Sequence, residues 1–293
     1  MTDTTTAHDD VSDSQILSAA SQLGAFGTGA ASLPVILATL CDPSSSALDV
    51  ARVIAHEPGI AARVLRVANS PYYGASGSVA TLERAFVLLG SDAVRGIAAA
   101  ACLDRAALRA AKLSPIDLRA MLRHCIATAT AAEAVARVRS RQLAAEAYIA
   151  GLLHDFGVIA QLQSDRKAFQ HMIDALANAP GPVREVERLH HCVSHERCGA
   201  VIFEHWNLPR SLVEAVRNHH APYDAPESAR PLAQLVYVGN HLAVVAGLAY
   251  ELEPRPAPLD DAMLEAVGTT RAELDVIAAT LPERTDEMRR LLA

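Results

Sequence analysis

The doublet His154-Asp155, within Leu152-Leu153-His154-Asp155-Phe156-Gly157, puts an imidazole and a carboxylate on consecutive residues. Both side chains are ligands for borderline divalent metals, and neighbours on one element can reach a single ion. Further histidines stand about a helix and a turn away: His124 upstream, and His195, His219 and His220 downstream. This spacing predicts a site assembled from several helices, in which His154 and Asp155 reach one divalent metal and His124, His195, His219 and His220 are the candidates to complete its ligand set. The chemistry available to such a set is metal-assisted hydrolysis, in which an ion lowers the pKa of bound water. Taken singly, each histidine has a plainer reading as a buried imidazole satisfied by hydrogen bonds.

Local patterning aims several of these side chains inward. Met121, Leu122, Cys125, Ile126 and Ala129 surround His124 on the apolar side of a helix, and Leu212, Val213 and Val216 lead at three- and four-residue steps to His219 and His220. His195 precedes Cys198 and Gly199 on a helix whose Ile202, Phe203 and Trp206 are predicted core. A second cluster, His190-His191-Cys192 with His195 and Cys198, has zinc-type ligands, but its spacing fits no standard finger. Gly27-Thr28-Gly29 lacks a preceding strand and a third glycine, and no phosphate-loop or nucleophile-elbow pattern occurs. Classical covalent hydrolysis therefore has no visible basis.

The elements that must carry these residues are helices. Of the 293 residues 51% are hydrophobic and only 4% aromatic, and Ala-rich runs such as Ala98 to Ala101 favour helix. Residues 1–13 are polar and acidic, which predicts a disordered tail. Predicted helices open near Leu33-Pro34, follow Ser46, carry Ile60 and Val64, run from Thr81 to a closing Gly90, and restart with Ser91 or Asp92 as cap. Pro115 is placed in the first turn of a helix running from Ile116 to about Val138. Further helices are predicted near 143–163, 167–178, 183–190, 194–206 and 209–219, then, after Pro254, Pro256 and Pro258, at Leu259 to Val267 and Thr270 to Leu281, the last with a Thr270/Glu273 capping box. Period-two alternation and tandem repeats are absent, so the class is all-α. Residues 231–250 hold no Asp, Glu, Lys or Arg, but Gln234, Asn240 and His241 interrupt the run, which predicts a buried helix and no membrane span. Five cysteines without scaffold spacing fit reduced thiols and a cytoplasmic setting. Residues 52–141 hold 13 basic and 6 acidic side chains within a chain of net charge −7. Solvated helix faces account for that asymmetry better than a nucleic-acid surface does.

Leu33-Pro34 through Glu57-Pro58, Asn69-Ser70-Pro71-Tyr72, and Ala85-Phe86-Val87-Leu88-Leu89-Gly90 in the front half form one block of motifs. Ser194 to Ala200, Trp206-Asn207-Leu208-Pro209 and Ala215 to His220 form another. Together with the histidine series these resemble the HDOD family over roughly residues 17–245. The resemblance implies a front helical bundle over about 14–112 and an HD-like half over about 113–245, within a domain at 14–245. The rest, 246–293, is then a Pro-rich linker and C-terminal helices. It is similar to the HD superfamily of metal-dependent phosphohydrolases, including enzymes that cleave cyclic di-GMP, although most members are regarded as signalling or output modules.

By position the resemblance implies His124 as first histidine, His154-Asp155 as doublet, and His195, His219 and His220 as later site histidines, with Asn240 where an active HD site places its last aspartate. A neutral amide adds no negative charge toward holding a dication. Val158 stands where the cyclic di-GMP enzymes place lysine, and no Gly-Tyr-Pro follows His220. The leading expectation is a non-catalytic signalling adaptor that needs no cofactor and acts on a protein partner. The alternative is a phosphohydrolase that holds Fe, Mn, Zn or Mg with His124, His154, Asp155 and His195, uses Asp155 in catalysis, and polarises phosphate with His219 or His220. The turn from Asn69 to Gly74 is a candidate interaction surface.

Overall fold

The computed structural model describes residues 13–24, 33–73, 78–111, 114–178, 183–190, 193–253, 255 and 259–292. Residues 1–12, Gly27-Thr28-Gly29, His191-Cys192 and Pro254, Pro256 and Pro258 fall outside them. The described residues contain helices and no strand.

In the front half, α1 (Asp13–Gly24), α2 (Leu33–Cys41), α3 (Ala47–Ala55), α4 (Pro58–Ala68), α5 (Leu82–Leu89) and α6 (Ser91–Ala110) follow in order. Ser46 and Asp49 form a reciprocal capping box at α3, Pro58 opens α4 where its missing N–H costs nothing, and Thr81 caps α5. Gly90, at φ +83°, closes α5 and opens α6, so the side chains of Ser91 and Asp92 lie within the first turn of α6 instead of capping it. Asn69 acts as a clamp: its amide donates to the carbonyl of Val79 at 2.8 Å and accepts from Val79 N–H at 2.8 Å. Arg95 of α6 donates to the carbonyls of Thr39, Leu40, Asp42 and Ser45, satisfying groups that the end of α2 leaves open.

The back half is built around α7 (Leu118–Arg139), which packs against α8 (Ala144–Leu153) and, further along the chain, α14 (Arg230–Val245) and α16 (Arg271–Leu292). Asp117 caps α7, leaving Pro115 before the helix and not in its first turn. The helix expected over 143–163 is two: α8 ends at Leu153 and α9 (Phe156–Ser164) begins at Phe156, with His154-Asp155 at the break. Then come α10 (Arg166–Asn178), α11 (Val183–His190), α12 (His195–His205), capped by Ser194, and α13 (Arg210–Arg217). The uncharged run is helical only to Val245; α15 (Asp261–Val267) and α16 complete the chain, and the Thr270/Glu273 box is present. α16 extends past the predicted stop at Leu281, through Pro282 to Leu292. One helical run, Arg141–Ser164, is long and apolar enough to cross a membrane, but 78% of its apolar window is buried inside the fold.

Close helix approach sets the geometry of the centre. A Cβ on Gly157 would lie 1.9 Å from the carbonyl oxygen of His195 and 2.7 Å from Gly199 N, so α9 and α12 meet backbone to backbone. Gly239 does the same for α14 on α7, where a Cβ would lie 2.6 Å from the carbonyl oxygen of Thr128. Gly157→Ala should therefore lower stability by about 1–3 kcal/mol, the usual cost of overpacking. Gly59→Ala, in α4 with nothing within 4 Å, should raise it by about 0.4–1 kcal/mol. Denaturant midpoints of the two variants check this; equal shifts would contradict it.

Candidate metal centre

Asp155 lies wholly buried at the break between α8 and α9, and imidazoles from separate elements converge on its carboxylate. On Oδ2, His154 Nε2 is 3.1 Å away and His124 Nε2, from α7, is 3.9 Å away. On Oδ1, His195 Nε2, from α12, is 3.4 Å away and His219 Nε2, from the turn after α13, is 3.7 Å away. The hydroxyl of Tyr250, from the segment after α14, donates to Oδ2 at 2.7 Å. Each of the five sequence-predicted residues His124, His154, Asp155, His195 and His219 is thus brought to one place.

The outer nitrogens decide how these rings present themselves. Nδ1 of His154, His219 and His124 donates to the carbonyls of Gly151 (2.7 Å), Val216 (2.7 Å) and Leu248 (3.0 Å). A carbonyl oxygen accepts only, so Nδ1 carries the hydrogen and the Nε2 lone pair of the neutral ring faces Asp155. His195 Nδ1 is bound at 2.7 Å to Glu187, whose carboxylate also accepts from the backbone N–H of His195 at 3.1 Å. Outer partners of this kind are what orient imidazoles for a metal.

Nε2 atoms meet in a way that calls for a cation. His195 Nε2 is 3.2 Å from His219 Nε2 and 3.2 Å from His220 Nε2. His219 Nε2 presents a lone pair, and two lone pairs do not stabilise each other at that distance, so a proton or a metal ion must lie between it and His195 Nε2, whereas His220 Nε2 directs its hydrogen to the Glu253 carboxylate. In the metal-free protein His195 carries that proton. Burial pushes its pKa down, but the adjacent Glu187 carboxylate outweighs this and raises it to about 10. Burial and neighbouring imidazoles hold His124 and His219 below the ordinary histidine range. Burial pushes the Asp155 carboxyl up, yet the surrounding imidazoles, His154 foremost, keep it well below the usual carboxylate range. Asp155 Oδ1 and His154 Nε2 remain buried without a well-directed hydrogen bond.

The residues therefore fit a divalent ion. The ligand atoms of His124, His154 and Asp155 lie within 4.8 Å of one another, as do those of His195, His219, His220 and Glu253. His220 stands at the edge, bound through Nε2 to Glu253 at 2.9 Å. Asn240 is buried in α14 with its Oδ1 unpartnered, and no hydrogen bond or ion pair of the cluster reaches it. The alternative cluster does not assemble among the described residues: His190 is exposed, and Cys198 is buried with its thiol pushed up by burial, outside any group of ligand atoms.

Sequence reasoning missed Glu187, Tyr250 and Glu253. Glu187 lies four residues after Val183 on the buried stripe of α11, and a carboxylate on an apolar stripe was its signal. Tyr250 and Glu253 lie in irregular chain after α14, where no periodicity points inward.

His195 gives a signed pH dependence. Its folded pKa, about 10, exceeds the free value of about 6.5, so its contribution is complete below about 6.5 and is lost as pH rises through about 10. In metal-free protein, stability should fall between pH 7 and 9, and Glu187→Gln should flatten that slope. Urea midpoints across the range test this, and an unchanged slope in Glu187→Gln would refute it.

The sequence profile of the HDOD domain matches residues 31–222. An uncharacterised protein of Treponema pallidum (strain Nichols) is 22% identical over 200 residues, 68% of this chain and 38% of its own length. Among solved structures, a proposed signal transduction protein of Marinobacter aquaeolei VT8 superposes with TM-score 0.72 at 22% identity, covering 96% of this chain and 65% of that one. The chain thus spans less than two thirds of both of these relatives. A proposed phosphohydrolase of Shewanella amazonensis SB2B gives TM-score 0.69 at 21% identity (95% and 98% covered). An HDOD domain protein with unknown function from Geobacter sulfurreducens gives 0.67 at 20% identity (96% of each chain). At these identities the structural likenesses establish the fold, and the profile match over most of the chain establishes the family: this chain belongs to the HDOD domain family.

Proposed function

We propose that this chain is a signal-output module that acts through protein contacts, and that its centre is a largely buried, metal-holding core and not an active site. The observation that carries this reading is burial. His124, His154, Asp155 and His219 are 0% exposed, and the Tyr250 hydroxyl covers an oxygen of the central carboxylate. Hydrolysis at a metal needs an open position for water and room for substrate, and the full burial of His124, His154 and Asp155 weighs against both at that end of the centre. A divalent ion held by His124, His154 and Asp155 would supply positive charge between the buried acids and tie several helices together. Asn240, contributing no charge, weighs the same way.

Part of the basic charge of the front half is paired internally, which weighs against a nucleic-acid surface. Arg63 pairs with Asp104, Arg105 with Glu57, and Arg95 is spent on backbone carbonyls. The phosphohydrolase reading keeps one observation in its favour, the retained doublet with Asp155 Oδ1 and His154 Nε2 unpartnered. Turnover separates the two. Purified protein supplied with Mn²⁺, Fe²⁺ or Zn²⁺ should release no product from cyclic di-GMP, nucleoside triphosphates or p-nitrophenyl phosphate above an Asp155→Ala control. Metal-dependent release that Asp155→Ala abolishes would overturn the output-module reading.

A further inference from the structure

Position 240 lacks a carboxylate, but the centre holds one from elsewhere in the chain. Glu253 lies beyond the family-matched residues 31–222, in the segment after α14, and is buried. Its Oε1 is 2.9 Å from His220 Nε2, which is in turn 3.2 Å from His195 Nε2, itself 3.2 Å from His219 Nε2. Three imidazoles and one carboxylate therefore present ligand atoms within 4.8 Å of one another. Asp155 Oδ1, buried and without a hydrogen bond, faces this group at 3.4 Å from His195 and 3.7 Å from His219.

This end of the centre also differs in access. His220 keeps 17% side-chain exposure, whereas His124, His154 and Asp155 have none. His220 forms part of the wall of a surface cleft of about 240 Å³ with Tyr223, Asp224, Tyr237 and Asp260. The carboxylates of Asp224 and Asp260 in its lining favour a cation over an anion, and His220 is shared by the cleft and the ligand group.

We propose that His195, His219, His220 and Glu253 form an exchangeable site for a divalent transition-metal ion, entered through the cleft at His220, with Glu253 supplying the carboxylate that position 240 lacks. Three nitrogens and one oxygen suit Zn²⁺ or a similar imidazole-binding ion and not Mg²⁺, which takes oxygen ligands. The site deepens the reading of the centre as metal-holding and rests on it.

The test uses the full chain, stripped with chelator and titrated with Zn²⁺ against a fluorescent indicator. Glu253→Gln and His220→Gln should each weaken Zn²⁺ binding by about tenfold or more, while Asn240→Ala stays within about twofold and excess Mg²⁺ does not compete. Circular dichroism of the stripped variants checks the fold. If Glu253→Gln unfolds, His220→Gln, at the partly exposed edge, carries the same test. Zn²⁺ binding by wild type that neither variant weakens overturns this site alone. A wild-type chain that binds no Zn²⁺ overturns both the site and the metal-holding reading.

Discussion

A carboxylate at zero exposure is the constraint on which the rest of the structure depends. Asp155 carries its charge into the interior, where an unpaired ion is expensive and a paired one survives only with good geometry. Compensation comes from imidazoles delivered by α7, by the α8/α9 break, by α12 and by the turn after α13, with a tyrosine hydroxyl from beyond α14. Elements spread from Leu118 to Tyr250 are thereby fixed relative to one oxygen pair. Removing one partner from such a group leaves others uncompensated, at a cost on the order of 3–5 kcal/mol.

Backbone design serves that convergence. Breaking the helix at His154-Asp155 lets two consecutive side chains face the same point, which a continuous helix would turn about 100° apart. Glycines let α9 approach α12 and α14 approach α7 at distances a methyl group would forbid. The interior face of α7, with Ala127, Ala129, Ala131, Ala132 and Ala136 fully buried, does likewise with small side chains. Low aromatic content thus matches a fold whose centre is polar and whose helices sit close.

The helical class, most element positions and five of the converging side chains were legible in the sequence, because apolar three- and four-residue steps carry information about which face is buried. His124 among Met121, Cys125 and Ile126 is the clearest case. The break at His154 was not legible, since Leu152, Leu153, Phe156, Val158 and Ile159 are apolar on all sides and hide the change of direction. Pro282 misled in the opposite sense: it marks a stop by local rule, yet α16 packs along α7 and continues. Tyr250 and Glu253 escaped because irregular chain has no period to read.

What emerges is a buried centre in which imidazole lone pairs, a carboxylate and a protonated His195 converge in groups that could each hold a metal ion, under a tyrosine hydroxyl. Its consequence is mechanical, since several helices meet at one charge. The most direct measurement is thermal unfolding with elemental analysis of protein purified without chelator, before and after stripping. The account predicts a near-stoichiometric divalent metal, a lower Tm once it is removed, and recovery when it is returned. Protein that carries no metal, takes none up, and unfolds at the same temperature throughout would contradict it.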